Sequence, residues 1–285
     1  HVSLSSDKKQ EFLELFEFGE AIRPILNAIE DSEVDKSLFQ YFESFLDTDD
    51  QLDALIIRDF KTSGLSGKIG RTDRTDYFFR LVCSLGLDDK SMLDASYGGS
   101  FGIGKTVYSI NSGINTVIYH STFAPSQDTD NVKRRLMVQG IYPKHKIDDE
   151  VYTGFYYYGD LSDEEASTSD LIPPLSDNNA EEKWSKLIRL FGSERLKRED
   201  NEHGTDIVIL CPRNDTDSAD PNSLTNQLKK AIEDYYFPAL LGEEVSIKLF
   251  DKDGNKHHPD PQNRDDLDQF ISLYKNAQAY QEPDI

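Results

Sequence analysis

Residues 98–106 read Gly-Gly-Ser-Phe-Gly-Ile-Gly-Lys-Thr, so that four glycines precede a lysine and a hydroxyl group. Because glycine has no Cβ and tolerates positive φ, consecutive N–H groups in such a stretch can turn inward and surround an anion. The stretch also matches the pattern G-x-x-x-x-G-K-[ST] of a phosphate-binding P-loop. It therefore predicts a backbone that closely approaches a phosphate group.

The flanks of this glycine loop decide which kind of phosphate site it forms. A P-loop requires a buried strand that runs into it and a full helix that leaves it. Residues 88–97 are polar instead, and residues 107–110 allow only about two helical turns before Asn-Ser-Gly. The strand predicted at 114–120 also lacks an aspartate that could hold magnesium. A true P-loop NTPase is therefore the less favoured alternative.

Two other segments join a strand to a short loop of small residues. Upstream, residues 52–58 form a predicted strand that ends at Asp59 and runs into the turn 60–67, Phe-Lys-Thr-Ser-Gly-Leu-Ser-Gly. Downstream, Gly-Thr at 204–205 leads directly into the predicted apolar strand 206–211. The chain order is therefore strand–Asp–turn–Gly, then glycine loop–Lys, then Gly-Thr–strand.

This order, over roughly residues 20–211, resembles the GHKL ATPase superfamily of gyrase B, heat-shock chaperones, histidine kinases, MutL and MORC proteins. The wording Asp-Phe-x-Thr-x-Gly-Leu-x-Gly with Gly-Gly-Ser-Phe-Gly-Ile-Gly-Lys is similar to a bacterial subgroup of ATP-binding proteins rather than to gyrase itself. The resemblance implies the Bergerat fold, an α+β, two-layer α/β sandwich with a mixed, mostly antiparallel sheet and helices on one face.

The resemblance also implies roles for individual residues. Asp59 would accept a hydrogen bond from the adenine amino group, and Thr205 would help to hold Asp59 and a bridging water under the base. Gly64 would let the adenine lie against the backbone. The implied lid over the phosphates contains Gly99, Gly102, Gly104 and Lys105.

The magnesium helix of the family fits this chain less well. The family places on its first helix an asparagine that binds Mg²⁺ and, one turn earlier, a glutamate that activates water. Asn27 is the matching asparagine, but Arg23 stands four residues before it and Pro24 interrupts the helical pattern. Glu20, two turns before Asn27, is the remaining candidate for the base. ATP binding is thus better supported than hydrolysis, and any ATPase activity is expected to be slow.

The expected function is binding of Mg²⁺-ATP, with closure of residues 66–105 over the γ-phosphate acting as a conformational switch. In this superfamily such closure typically drives homodimerisation or engagement of a partner protein. A bacterial defence or DNA-transaction complex is suggested by analogy alone. The alternative is a nucleotide-sensing module that binds without hydrolysis. A histidine kinase is disfavoured, since no dimerisation helix with a histidine precedes the nucleotide segment.

Composition restricts the possible partners. The chain has 53 acidic and 31 basic residues and a net charge of −22, so direct binding of nucleic acid is not expected. Two basic clusters are predicted to be solvated: residues 133–135, and Lys186, Arg189, Arg195, Lys197 and Arg198. The two cysteines resemble core residues, and no run is long and apolar enough for a membrane span, which together predict a cytoplasmic protein.

The predicted domains are an ATP-binding domain at 1–240 and a C-terminal extension at 241–285. Helices are predicted at about 7–31, 37–46, 75–85, 181–192, 221–236 and 264–276. Strands are predicted at about 52–59, 114–121, 134–142, 151–158, 206–211 and 245–250.

Overall fold

A computed structural model describes residues 1–30, 36–47, 49–68, 77–83, 103–126, 129, 131–162, 172–192, 196–199, 201–214 and 223–279. The chain divides into a larger unit, Ser3–Arg213, and a smaller one that comprises His1–Val2 and Asn214–Ile285. The sequence-based boundary after residue 240 and this division after Arg213 differ by one long helix, which belongs to the smaller unit.

The larger unit is built on one sheet. Its strands and those of a neighbouring hairpin are β1 (Val2–Leu4), β2 (Leu52–Arg58), β3 (Thr116–Thr122), β4 (Arg134–Ile141), β5 (His145–Ile147), β6 (Glu150–Tyr152), β7 (Phe155–Tyr158), β8 (Leu175–Ser176) and β9 (Gly204–Leu210). The sheet has the order β1-β2-β9-β3-β4-β7, and β8 also pairs with β4. The ladders from β2 through β9, β3 and β4 to β7 and β8 are antiparallel.

The single strand predicted at 151–158 is instead two short strands, β6 and β7, in two different sheets. Gly154 separates them and has a φ of +94°, a conformation that favours glycine. A Cβ at this position would lie 2.0 Å from the carbonyl oxygen of Tyr142. The chain therefore turns at Gly154, where the apolar and aromatic pattern alone predicted continuity.

Six helices accompany the sheet in the described part of this unit. They are α1 (Ser6–Leu15), α2 (Phe18–Glu30), α3 (Lys36–Leu46), α4 (Tyr77–Val82), α5 (Ile103–Ile110) and α6 (Asp177–Leu190). Since successive side chains of a strand point to opposite faces, Tyr119 and His120 of β3 mark the two faces of the sheet. Trp184 of α6 stacks on His120, with ring centroids 4.3 Å apart. Tyr108 of α5 and Phe78 of α4 pack with Tyr119 on the other face.

An aromatic cluster joins the longer helices to the sheet. Phe12 of α1 contacts Phe16, Phe18 and Phe45 at centroid distances of 5.8, 5.6 and 6.4 Å, and Phe16 contacts Tyr158 of β7 at 5.7 Å. All four phenylalanines are fully buried. Such pairs contribute about 0.5–1.5 kcal/mol each beyond the burial of their area. The helical layer is thus fixed to the sheet by ring packing from three helices.

The smaller unit contains α7 (Ser223–Leu241), α8 (Asp268–Ala279) and the hairpin of β10 (Leu249–Phe250) and β11 (Lys256–His257). Glu233 of α7 is buried and accepts hydrogen bonds from Lys229 at 2.5 Å and Arg264 at 3.2 Å. At the hairpin, hydrogen bonds from His257 and Asn255 lower the pKa of Asp251 to about 2. These contacts tie the loops of the unit to its long helix and its hairpin.

The predicted fold class is confirmed: the protein has a two-layer α+β fold around an open, mostly antiparallel sheet. The predicted placement of the helices on one face holds for the long helices α1 and α6, whereas the short helices α4 and α5 pack on the other face. Within the described segments, no helix combines the length and the apolar character that are needed to cross a bilayer.

Candidate functional site

The strand register aligns polar residues in two neighbouring rows at one end of the sheet. Asp206 of β9 stands opposite Arg58 of β2 and His120 of β3, and these three form what we call the support row. In the adjacent row, Ser121 stands opposite Thr205 on one side and Arg135 on the other. Because neighbouring residues point to opposite faces, the two rows face opposite sides of the sheet. Asp59 follows Arg58 and joins Thr205, Ser121 and Arg135 in the second row, the site row.

Asp59 presents an exposed carboxylate that is held through one oxygen. Its backbone N–H donates to the Thr205 carbonyl at 3.0 Å. Its Oδ1 accepts hydrogen bonds from the Thr205 N–H at 2.5 Å and from the Thr62 hydroxyl at 3.1 Å. Its Oδ2 has no hydrogen-bond partner within the described segments. The carboxylate is therefore oriented by the protein while one oxygen remains able to accept a hydrogen bond from a ligand.

The turn after Asp59 lies against the end of β3. Gly64 has a φ of +64°, and a Cβ there would lie 2.3 Å from the carbonyl oxygen of Thr122. The hydroxyl of Ser121 accepts from the Leu65 N–H at 2.8 Å and donates to the Gly204 carbonyl at 3.1 Å. Ser121 thus connects the turn to the start of β9, and glycine at position 64 is what permits their close approach.

Arg135 holds the same turn from β4. Its side chain donates to the carbonyl of Leu65 at 3.4 Å and to that of Gly67, and its guanidinium carbon lies 5.0 Å from the ring centroid of Phe123. Only 1% of Arg135 is exposed. The prediction that residues 133–135 form a solvated basic run is therefore wrong for Arg135. The buried guanidinium donates hydrogen bonds to carbonyl groups that have no partner within the turn itself, which stabilises the turn.

Gly204 lets β9 begin directly beside Asp59. Its φ is +151°, and a Cβ would lie 2.4 Å from both the carbonyl oxygen and Oδ1 of Asp59. Any side chain at this position would displace the aspartate. Gly204 therefore leaves space for Asp59, and the N–H of Thr205 donates a hydrogen bond to it.

Behind the site row, Asp206 is the centre of a buried ionic network. Arg58 donates to it at 2.5 Å, Arg198 donates through Nε and Nη2 at 2.9 Å each, and Nδ1 of His120 lies 2.9 Å away. Burial by itself would raise the pKa of Asp206. The hydrogen bonds from His120 and Arg198 and the charge of Arg58 outweigh burial and hold that pKa well below its usual range. Asp206 is therefore an anion that neutralises one of the two arginines beside it.

His120 is the neutral member of this network. Burial lowers its pKa below the usual value and outweighs the hydrogen bond to Asp206. Its Nδ1 must carry the proton, because an ionised carboxylate can only accept. Its Nε2 is buried without a hydrogen-bond partner in the described part of the chain, so a second proton there would have no acceptor. A positive His120 would also add to the two arginine charges.

This arrangement predicts that the protein loses stability as the pH falls below about 6.5, where an unfolded histidine takes up a proton that His120 cannot. Between pH 7.5 and 5.5 the contribution of His120 is at most about 1.4 kcal/mol. Urea unfolding at both pH values should show a smaller loss for His120→Gln than for the wild type, since the other histidines contribute equally to both. Equal losses would mean that folded His120 binds a proton normally.

Arg198 departs from its sequence-based prediction. The predicted exposed basic cluster at 186–198 places it on a solvated helix face, but only 8% of Arg198 is exposed. Its Nη2 donates to the carbonyls of Asp59 at 2.7 Å and Thr205 at 3.0 Å, as well as to Asp206. Arg198 therefore lies behind the site row, with Asp206 as the partner for its charge and two backbone carbonyls as acceptors for Nη2. Its Nη1 is buried without a hydrogen-bond partner among the described residues.

The structure brings together Asp59, Gly64 and Thr205 among the predicted nucleotide residues. Gly104 and Lys105 lie in the first turn of α5, and a Cβ at Gly104 would meet no atom within 4 Å. Gly99 and Gly102 lie outside the described residues.

Glu20 and Asn27 are placed elsewhere. Both are exposed on α2, which packs against α1, α3 and β5. None of those elements carries a residue of the site row. Among the described residues, no group of three or more His, Cys, Asp or Glu is arranged to hold a metal ion.

Sequence reasoning missed Ser121 and Arg135 of the site row, and it missed the supporting residues His120, Asp206 and Arg198 behind that row. One signal could have found Ser121, His120 and Asp206: His-Ser stands near the end of the apolar strand β3, and Asp206 follows Gly-Thr in another apolar strand. A polar residue on both faces of a buried strand needs partners. No comparable signal marks the two arginines.

Comparisons with protein-family models, curated proteins and solved structures found no match.

Proposed function

We propose that this chain is a cytoplasmic, GHKL-type ATP-binding domain in which Asp59 binds the adenine and closure over the phosphates acts as a switch. One observation supports it most. The carboxylate of Asp59 is exposed, fixed through Oδ1 by the Thr205 N–H, and has no described partner at Oδ2. A binding pocket for a base edge needs an acceptor of this kind, held in place before the ligand arrives.

The chemistry of the acceptor favours adenine over guanine at this position. The adenine 6-amino group donates hydrogen bonds, whereas the corresponding O6 of guanine accepts them. An ionised carboxylate accepts only, so it attracts the first group and repels the second. The Cβ direction of Gly64 points to Thr122, so the role of Gly64 beside the adenine rests on the sequence resemblance alone.

The glycine loop and α5 would bind the phosphates of ATP. Gly104 and Lys105 open α5, and the N–H groups and dipole of a helix start favour an anion. The absence of any atom within 4 Å of a Cβ at Gly104 means that packing in the described chain does not require glycine there. A backbone that must approach phosphates gives a reason for this glycine. Closure of residues 66–105 over the nucleotide remains part of the proposal.

The switch would work by differential binding. A ligand shifts a conformational equilibrium only by the difference between its affinities for the two states. ATP would favour the closed lid because the γ-phosphate contacts it only when closed. The closed state would then associate with a second copy or with a partner protein. A bacterial defence or DNA-transaction complex stays an analogy from the sequence resemblance.

A nucleotide-sensing module that binds without hydrolysis is the second candidate, and the position of α2 favours it. Glu20 and Asn27 are exposed on a helix that packs mainly against α1, α3 and β5, none of which carries a residue of the site row. They do not fit a metal site beside Asp59, so no step of the proposal runs through Mg²⁺. If the protein hydrolyses ATP, Glu20 is the predicted base and slow turnover is expected.

The decisive experiment is calorimetric titration of a non-hydrolysable ATP analogue with Mg²⁺ into the wild type and Asp59→Asn. The variant keeps the shape of the side chain but replaces a charged acceptor, so affinity is expected to fall roughly 100-fold. Asp53→Asn makes the same change at the other end of β2 and should bind normally. A phosphate-release assay with ATP then separates an ATPase from a sensor.

Undiminished binding by Asp59→Asn would overturn the proposed site. In that case Lys105→Ala becomes the informative variant, because a P-loop would lose binding with the lysine. Loss of binding by Asp53→Asn as well would point to a general effect on the strand rather than to base recognition.

A further inference from the structure

Arg198 binds the backbone at Asp59 and Thr205 from the opposite face of the sheet. The side chain is 3% exposed, and a single nitrogen, Nη2, donates to the carbonyls of both Asp59 and Thr205. Nε and Nη2 also donate to the two oxygens of Asp206, so that one of the two N–H groups of Nη2 is shared between two acceptors. One planar group therefore links a fixed anion to the two backbone segments that carry the candidate base site.

This link acts where the regular ladder stops. The last residue pair between β2 and β9 is Arg58 with Asp206, and Asp59 is the first residue beyond the end of β2. Past that point, rotation of the backbone at Asp59 would swing its carboxylate away from Thr205. The N–H of Asp59 and the bond from Arg198 to its carbonyl restrain both sides of this residue.

The geometry requires arginine rather than any cation. The guanidinium carbons of Arg198 and Arg58 each lie 4.9 Å from the ring centroid of Phe60, the residue that follows Asp59. A guanidinium can bind a carboxylate through two nitrogens and pack on an aromatic ring at the same time, whereas an ammonium is a point charge on a flexible stem. Arg198 thus contacts both Asp59 and the residue that follows it.

We propose that Arg198 is a positioning residue that sets the direction of the Asp59 carboxylate and thereby the preference for purines with a 6-amino group. This inference rests on the proposed function, because it assumes that Asp59 receives the base. Arg198 does not touch the nucleotide. Its effect is confined to the hydrogen bond between Oδ2 of Asp59 and the amino group.

The test compares ATP with purine riboside 5′-triphosphate, which carries hydrogen in place of the 6-amino group. The wild type is expected to prefer ATP by roughly 10- to 100-fold, the value of a hydrogen bond to a charged group. Arg198→Lys keeps the charge but loses the planar fork, and should reduce this preference about 10-fold or more by weakening ATP alone. The ratio is insensitive to partial unfolding, since lost folded protein lowers binding of both nucleotides equally.

Two further variants complete the design. Arg198→Met removes the charge yet leaves Asp206 paired with Arg58, so it gives a second folded background in which the preference should also fall. His120→Gln disturbs Asp206 from its other side, without a contact to Asp59, and should keep the wild-type preference. A structural role alone would lower stability in all three variants and leave the preference unchanged.

The outcomes separate this inference from the function on which it rests. If the wild type prefers ATP and Asp59→Asn removes the preference, but both Arg198 variants retain it, Arg198 has no positioning role. If the wild type binds the two triphosphates equally, the adenine contact itself is wrong and the inference falls with it. A preference lost with Arg198→Lys and Arg198→Met, and kept with His120→Gln, supports the assignment.

Discussion

Asp206→Asn is expected to lower the free energy of unfolding by about 3–5 kcal/mol, the cost of removing one partner from a buried ion pair. Asparagine has nearly the same shape, so packing is preserved and the change is electrostatic. Arg58 and Arg198 would both remain buried around a neutral amide, and the hydrogen bond from His120 would lose its charged acceptor. Urea or thermal unfolding of the full chain measures the effect.

Asp149→Asn provides the control for this charge change. Asp149 is fully exposed and accepts one hydrogen bond from Lys146 at 3.1 Å, a pair that contributes little in water. Its removal should change stability by less than about 0.5 kcal/mol. If Asp206→Asn were equally mild, the network would not be an obligatory charge cluster, and His120 or a rearranged arginine would have to compensate.

The sequence alone predicts those site residues that are marked by their neighbours in the chain. Asp59 and Thr205 each stand where an apolar strand meets a loop of small residues. Antiparallel pairing of these two strands places both residues at the same end of the sheet. The α+β class was predicted from the family resemblance, and the mostly antiparallel sheet confirms it. Gly64 is predictable for a similar reason, because a turn of small residues after a strand needs positive φ somewhere.

Burial of charge could not be predicted in the same way, because it depends on partners that are distant in the chain. Arg135 bonds to Leu65, 70 residues away, and Arg198 bonds to Asp59, 139 residues away. In sequence both arginines lie in basic clusters, which usually are solvated. Only the register of three strands reveals that Asp206 lies between Arg58 and His120 and can neutralise a buried arginine.

The two rows also predict that the network around Asp206 and the proposed base contact of Asp59 can be changed separately. Neighbouring residues on β2, β9 and β3 point to opposite faces, so the network around Asp206 lies behind the sheet and the carboxylate of Asp59 in front of it. Arg198 is the residue whose hydrogen bonds join the two rows through backbone carbonyls. Unfolding of Asp206 and His120 variants therefore reports on the support row, and under the proposed function nucleotide preference would report on Asp59.

Gly64→Ala is expected to lower the free energy of unfolding by about 3 kcal/mol, combining left-handed backbone strain with forced overpacking. Gly64 has a φ of +64°, and its new Cβ would lie 2.3 Å from the carbonyl oxygen of Thr122 and 3.0 Å from the Ser121 hydroxyl. Neither neighbour can move freely, because Thr122 ends a buried strand and Ser121 bonds to both Leu65 and Gly204. Unfolding by urea measures the loss.

Gly104→Ala is the matched control, since the same methyl group would meet no atom within 4 Å at the start of α5. Alanine favours a helix over glycine by about 0.5–1 kcal/mol, so this variant should be unchanged or slightly more stable. The contrast between the two glycines follows from their positions: one is enclosed by strand β3, and the other lies open at a helix start. A stable Gly64→Ala protein would show that the turn can withdraw from β3, and the close approach that presents Asp59 would then not be rigid.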